Sequence, residues 1–271
     1  MTKTSIIISV YNDVAWLEMI LTALAQQTVN GFEVVIADDG SSSAMRDFIS
    51  KAENRFDYPL VHVWHEDKGW RKNIILNKAI VASKGEYLIF IDGDCIPHPK
   101  FVEEHLRYRT SGRVLAGRRV QLTEKITSRI SSECVGLGFH RRVMLPVFFA
   151  GLMGKVRDFE NCVRISSPFI RRFIKDKDRG LLGCNFSIYR RDIMSVNGFD
   201  ERYLNPATGE DTDLELRLRN IGVYVLTKKH QLTVYHKKHR QQDFSSPENA
   251  AILRENTEQH VGYTPYGIGK Q

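Results

Sequence analysis

From residue 5 to about residue 110, short β-branched runs alternate with stretches whose apolar residues recur at three- and four-residue spacing. Ser5-Ile6-Ile7-Ile8-Ser9-Val10 predicts a strand. Leu17, Ile20, Leu21 and Leu24 then share one helical face behind a capping Asp13. The same pattern predicts strands over Phe32 to Ala37, Pro59 to Trp64 and Tyr87 to Ile91. Helices are expected from after Ser42 to about Lys51 and from Trp70 to about Ser83, the latter with Ile74, Ile75 and Ala79 inward. Strand and helix alternating through short connections imply parallel strands with right-handed crossovers, whose ligands bind at the carboxyl ends. Three of those ends read Tyr11-Asn12-Asp13, Asp38-Asp39-Gly40-Ser41-Ser42 and Asp92-Gly93-Asp94.

The last of these ends an apolar strand in two carboxylates. Residues two apart on an extended chain point the same way, so Asp92 and Asp94 can share a hard divalent cation and, through it, a phosphate, while Gly93 lets the backbone approach that ligand. The acids at the other ends can accept from a base or a ribose, and Tyr11 can stack on a base. No GxGxxG follows the first strand, which argues against a dinucleotide cofactor, and no Gly-rich phosphate loop stands there, which argues against a sugar-nucleotide pyrophosphorylase.

After Val114 to Ala116 the alternation fails. Residues 125–180 mix the basic pairs Arg141-Arg142 and Arg171-Arg172 with an apolar run from Val143 to Met153. They form either a helical hairpin packed on the core or a surface for acceptor or anionic membrane. Further on, Gly183-Cys184-Asn185-Phe186 opens a strand, Gly209-Glu210-Asp211 opens an amphipathic helix with Leu214 and Leu218 on one face, and Val234-Tyr235-His236-Lys237-Lys238-His239 offers imidazoles after a strand. A short helix from Ser245-Ser246-Pro247 to about Glu255 precedes an irregular tail that either folds over the active site or stays unstructured.

Composition narrows this little. The 271 residues, 42% hydrophobic, suffice for a substantial core, and a formal charge of +7 favours an anionic ligand without naming it. Basic and aromatic residues do not alternate on any strand face, which excludes a nucleic-acid partner. Cys95, Cys134, Cys162 and Cys184 form no CxxC pair, so neither zinc nor a disulfide framework is indicated. With no signal-peptide pattern and no spanning stretch, the expected location is the cytoplasm, either free or peripheral at the inner membrane face, with residues 140–175 as the contact.

Ser9-Val10-Tyr11-Asn12, Asp38-Asp39-Gly40-Ser41, Asp92-Gly93-Asp94 and Gly209-Glu210-Asp211 together resemble the successive motifs of inverting, family 2-type glycosyltransferases, over roughly residues 3–115 and 180–236. The resemblance implies an α/β GT-A fold: a single Rossmann-like nucleotide-binding domain with a mixed, mainly parallel sheet plus a helical basic and apolar insertion. A nucleotide-binding half (about 1–116), the insertion (125–180) and an acceptor half (181–240) would precede a tail (241–271). It implies that Tyr11 and Asp39 hold the base, Arg71 and Lys72 face the nucleotide, and Asp92 binds ribose or metal. Asp94 then holds Mn2+ (or Mg2+) with His236 as third ligand and His239 behind it. Gly183 leaves room for the donor sugar, Glu210 binds acceptor or orients the site, and Asp211 is the general base. The implied reaction is transfer of a sugar, from a UDP-sugar by the Tyr11 and Asp39 pattern, to a glycan or lipid-linked hydroxyl in bacterial surface polysaccharide synthesis. A haloacid dehalogenase-type phosphatase with Asp92 as nucleophile and a non-catalytic carbohydrate-binding protein are the alternatives.

Overall fold

In the computed structural model, residues 3–156, 158–174, 176, 178–206, 209–238 and 245–269 are described. The first half follows the apolar pattern: β1 (Thr4–Val10), α1 (Val14–Leu24), β2 (Phe32–Asp38), α2 (Ser43–Ala52), β3 (Leu60–Trp64), α3 (Lys72–Ala82) and β4 (Tyr87–Asp92). Asp13 caps α1, accepting from the Trp16 N–H at 3.2 Å. There follow β5 (Cys95–Pro97), α4 (Phe101–Tyr108), β6 (Arg113–Ala116) and β7 (Arg118–Gln121). The insertion holds α5 (Glu124–Thr127), α6 (Ser132–Gly136), α7 (Phe139–Leu152), a 3-10 turn and α8 (Pro168–Arg171). The chain then returns through β8 (Asn185–Tyr189), α9 (Arg190–Ser195), α10 (Glu210–Asn220), β9 (Tyr224–Thr227), β10 (Thr233–His236) and α11 (Pro247–Glu258).

Seven strands form the main sheet in the order β3-β2-β1-β4-β8-β6-β9, with β8 antiparallel to both neighbours and the other pairs parallel. Both faces are covered. Ile6 and Ile8 of β1 pack with Leu17, Ile20 and Leu24 of α1, whereas Ile7 packs in a second cluster with Ile75 and Ala79 of α3 and Leu214 and Leu218 of α10. That two-sided burial is why the strands read as continuous apolar runs. Register makes the ends level, since Val10 stands opposite Asp38 and Ser9 opposite Asp92.

Three short strands, β5, β7 and β9, were not anticipated, and β9 joins the main sheet beside β6. β5 and β7 flank β10 in a separate three-stranded sheet, antiparallel and parallel to it respectively. Strands this short carry no readable alternation. Gly93 also has a role beyond the expected one: its N–H donates to the Ser9 carbonyl at 2.7 Å, and a Cβ there would come within 2.7 Å of that same oxygen. The Gly93 backbone thus packs closely on β1 while also lining the cavity at the strand ends.

The insertion is a string of helices rather than a hairpin. Val135 of α6 and Phe139, Val143, Val147 and Ala150 of α7 join the core on the α1 side of the sheet. Arg171, read as part of a basic pair, donates to the Lys229 carbonyl and Asp176. The described tail neither covers the active site nor lacks structure. Asn197 donates to the Thr264 carbonyl at 2.7 Å, accepts from the Gly269 N–H at 2.8 Å, and receives the Ile268 N–H on its own carbonyl.

α10 is fixed from beneath by a buried ion pair. Asp213 and Arg217, both fully buried, meet at 2.8 Å, Asn256 of α11 donates to Asp213 at 2.6 Å, and Arg217 donates to the carbonyls of Val196 and Gly198. Gly209, at φ 140°, opens the helix where a Cβ would meet the Tyr203 ring at 2.9 Å. Replacing Asp213 leaves the Arg217 guanidinium buried without its carboxylate. Asp213→Ala is therefore expected to lower unfolding free energy by about 3–5 kcal/mol, measured by urea denaturation, and a change below about 1 kcal/mol would contradict this account.

Candidate active site

A cavity of about 440 Å³ opens where β1, β2 and β4 end. Tyr11, Asp39, Lys72, Asp92 and Asp94 of the predicted set line it, as do Asp67, Trp70 and Lys237, which sequence reasoning did not single out. Arg71, Gly183, Glu210, Asp211 and His236 lie outside this lining, and the structure relates each of them to it differently.

On the β2 side, Asp39 is held from two directions: His65 Nε2 lies 2.6 Å from its Oδ1, and the Arg71 N–H donates to its Oδ2 at 2.9 Å. Burial pushes the His65 imidazole below its ordinary value, against the pull of Asp39. The signal for His65 was its place just past β3, whose Trp64 stands level with Asp38. Tyr11, 55% exposed, donates its hydroxyl to Asp67 at 3.0 Å, leaving the ring at the cavity mouth. The Arg71 side chain departs from the expected orientation toward the nucleotide, because its guanidinium donates to the Glu66 carbonyl.

Lys72 takes the position expected for both basic residues. Its Nζ lies 2.8 Å from Asp92 Oδ1, and only 18% of its side chain is exposed. Burial opposes its charge, yet Asp92 and Glu210 together outweigh that and push its pKa well up. Asp92 Oδ1 also accepts from the Ser9 hydroxyl at 2.7 Å.

Asp94 has other neighbours. His236 Nε2 lies 3.1 Å from its Oδ2, and the Cys95 thiol donates to its Oδ1 at 3.3 Å. The donor atoms of Asp94, Cys95 and His236 all fall within 4.8 Å of one another. β5 makes this possible, since β10 pairs with it so that His236 stands opposite Cys95. Asp92, expected to bind ribose or metal, is outside this cluster and engaged by Lys72 and Ser9. Carboxylate and imidazole donors beside an open cavity fit Mn2+ or Mg2+, more readily the former. His239 lies outside the described residues.

Glu210 and Asp211 begin α10, where the helix N-terminus favours negative charge. Asp211 Oδ2 accepts from the Gly183 N–H at 3.2 Å and Oδ1 from the Thr212 N–H at 2.8 Å. Gly183, expected to make room for a sugar, thus lies directly against the Asp211 carboxylate. Lys237, just after His236, pairs with Asp13, lies 5.3 Å from the Trp16 ring, and donates its N–H to the Asp94 carbonyl. The pair Lys237-Lys238 after the imidazole was the available signal for a second cation at the cavity.

A mainly parallel sheet with one strand turned antiparallel, and acidic strand ends level with one another, match a GT-A fold. The chain belongs to glycosyltransferase family 2, whose description "Glycosyl transferase family 2" matches residues 5–195. Validoxylamine A glucosyltransferase of Streptomyces hygroscopicus subsp. jinggangensis is 34% identical over 237 residues, covering 81% of this chain and 52% of that protein. The chain thus spans about half of that relative, and less of several other curated relatives it matches. Among solved structures, TarS of S. aureus in complex with UDP-GlcNAc superposes with a TM-score of 0.60 at 16% identity, over 95% of this chain and 66% of that one. The mannosyltransferase PcManGT of Pyrobaculum calidifontis, in complex with GDP-Man and Mn2+, gives 0.57 at 14% identity, over 96% and 70%. Family membership sets the chain apart from the haloacid dehalogenase-type phosphatases.

Burial pushes the Glu210 carboxyl up to about 7; Lys72 opposes this, and Asp211 and Asp92 reinforce it. The folded state therefore keeps a proton that the unfolded chain releases near the ordinary 4.5. Stability from this group falls as pH rises from about 4.5 to about 7 and is level above. In Glu210→Gln the drop in urea midpoint between pH 5 and pH 7.5 is expected to be smaller than in the unsubstituted protein, and an identical drop would contradict the shifted carboxyl.

Proposed function

We propose that this protein transfers a sugar, with inversion, from a nucleotide donor to a hydroxyl of a glycan or lipid-linked acceptor. One observation carries the reading: the cavity at the strand ends is lined by Asp94, which meets His236, and by Lys72, which pairs with Asp92 and is attracted to Glu210 of α10. A nucleotide held there by Tyr11 and Asp39 directs its diphosphate toward Asp94, Lys72 and Lys237. The two ammonium groups supply charge complementary to the phosphates. Asp94 and His236 would hold a divalent ion, Mn2+ or Mg2+, whose chemistry there would be to offset charge on the leaving diphosphate. Asp92 keeps Lys72 in place and is a candidate partner for the ribose hydroxyls.

In an inverting transfer the acceptor hydroxyl attacks the anomeric carbon opposite the diphosphate, and a carboxylate takes its proton as the bond forms. Asp211 is assigned that proton. The Gly183 N–H and the Thr212 N–H hold its carboxylate, and Glu210 positions the acceptor or the base. The donor is a UDP-sugar, so the transferred group is a hexosyl or N-acetylhexosaminyl unit; the UDP-GlcNAc of TarS favours this choice, and the GDP-Man of PcManGT is the competing one. Residues 1–116 form the donor half and 181–240 the acceptor half, and the product is a bacterial surface polysaccharide. No helix among the described residues is long and apolar enough to cross a membrane, so attachment at the inner membrane face would be peripheral.

A panel of nucleotide sugars tests this, read as Mn2+-dependent release of nucleoside diphosphate. Asp94→Ala and Asp211→Asn are each expected to lower turnover by at least about 100-fold with circular dichroism unchanged. Undiminished turnover in either variant overturns its assigned role. Sugar binding that needs no metal, survives Asp211→Asn and accompanies no turnover in the unsubstituted protein would favour a carbohydrate-binding protein instead.

A further inference from the structure

A second cavity, of about 560 Å³, lies beside α7 among Ile126, Ile130, Val143, Pro146, Ala150 and Met153. Its walls are mainly apolar, and its lining includes three exposed cations, Lys125, Arg129 and Lys155, but no acid. Beyond Arg141 and Arg142 of its first turn, α7 is apolar on both sides. Its inner face joins the core, and Leu145, Phe149 and Leu152, spaced four and three residues apart, are 58%, 59% and 63% exposed. A helix apolar all round belongs against a second apolar medium.

The cavity is not remote from the strand ends. Thr123, which lines it and caps α5, follows β7 by two residues, and Gln121 of β7 stands opposite His236. The Lys238 N–H donates to Thr127 on the same helix at 3.2 Å. A ligand whose charged end lay at Lys125 would therefore have that end on the side of the cavity joined to the metal-type residues.

We propose that this cavity binds the apolar chain of a phosphorylated lipid, with the phosphate at Lys125, Arg129 and Lys155. Apolar walls with an all-cationic rim match an amphiphile whose head is anionic, and the outer face of α7 continues the apolar surface toward the bilayer that supplies it. A peptide or a second copy of the chain would bring carboxylates only in scattered positions, whereas a lipid phosphate concentrates the charge at one end of one apolar chain. The idea rests on the glycosyl-transfer reading only in taking this lipid as the acceptor; binding itself does not depend on it.

Cys134 provides the readout. It lines the cavity and is half-buried, while Cys95, Cys162 and Cys184 are buried. Alkylation of Cys134 by N-ethylmaleimide, followed by intact-mass and peptide mass spectrometry, reports occupancy without any sugar donor. Dodecyl phosphate, kept below its micelle concentration and at ten times its dissociation constant, is expected to slow alkylation about tenfold. A neutral dodecyl maltoside and inorganic phosphate should slow it less than about twofold, and Lys125→Glu with Arg129→Glu should abolish the effect of dodecyl phosphate. Equal slowing by the neutral amphiphile, slowing by inorganic phosphate alone, or no slowing by any of the three overturns the proposal. None of those results bears on nucleotide-sugar turnover, so the two readings fail separately.

Discussion

The ammonium of Lys72 is the link on which the candidate site depends. It stands at the first residue of α3, bonded to Asp92 at the end of β4 and attracted to Glu210 at the start of α10. Asp92 and the adjacent pair Glu210-Asp211 come from distant parts of the chain, and Asp92 and Asp211 each raise the cost of charge on Glu210. Without a cation among them the carboxylates would repel one another in a partly dehydrated cleft. Glu210, pushed up to about 7, shows how nearly balanced that arrangement is. The preceding residue contributes as well, since the Arg71 N–H holds Asp39, so the start of α3 ties the base side of the cavity to the side facing α10.

A second constraint acts from below. α10 can present Glu210 and Asp211 only because its far side is anchored through the buried Asp213, Arg217 and Asn256. The segment after α11 has a structural place in this, because Thr264 donates to Asp200 and Arg202 bridges Asp200 and Glu255. Function is thereby concentrated at one end of the sheet, and the tail supports it from behind the helix rather than covering the cleft.

β1, β2 and β4 and the helices beside them were legible because both faces of the sheet are covered there, which writes these strands as largely apolar runs, whereas the edge strand β3 is only partly buried. The carboxyl-end acids were legible because nothing in such a run requires them. What escaped was set by distant pairing. β5 and β7 are too short for alternation, and their partner β10 lies more than one hundred residues away, so the meeting of Cys95 with His236 left no local trace. Gly93 was read as making room for a ligand, and its close packing on the Ser9 carbonyl, set by the register of β1 and β4, was not readable locally. Asp92 and Asp94 share a spacing but not an environment: one faces Lys72 and Ser9, the other His236 and Cys95. Arg71 and Lys72 were equivalent in sequence, and only the entry angle of α3 separates the side chain turned to Glu66 from the one in the cavity.

The central claim is that a nucleoside diphosphate binds at the level strand ends with a divalent ion on Asp94 and His236. Titration calorimetry of UDP in the presence and absence of Mn2+, on the unsubstituted protein and on His236→Ala, tests it most directly. Binding that requires Mn2+ and weakens by at least about tenfold in the variant is the predicted result. Binding of equal strength without Mn2+, or unchanged in His236→Ala, would contradict the account.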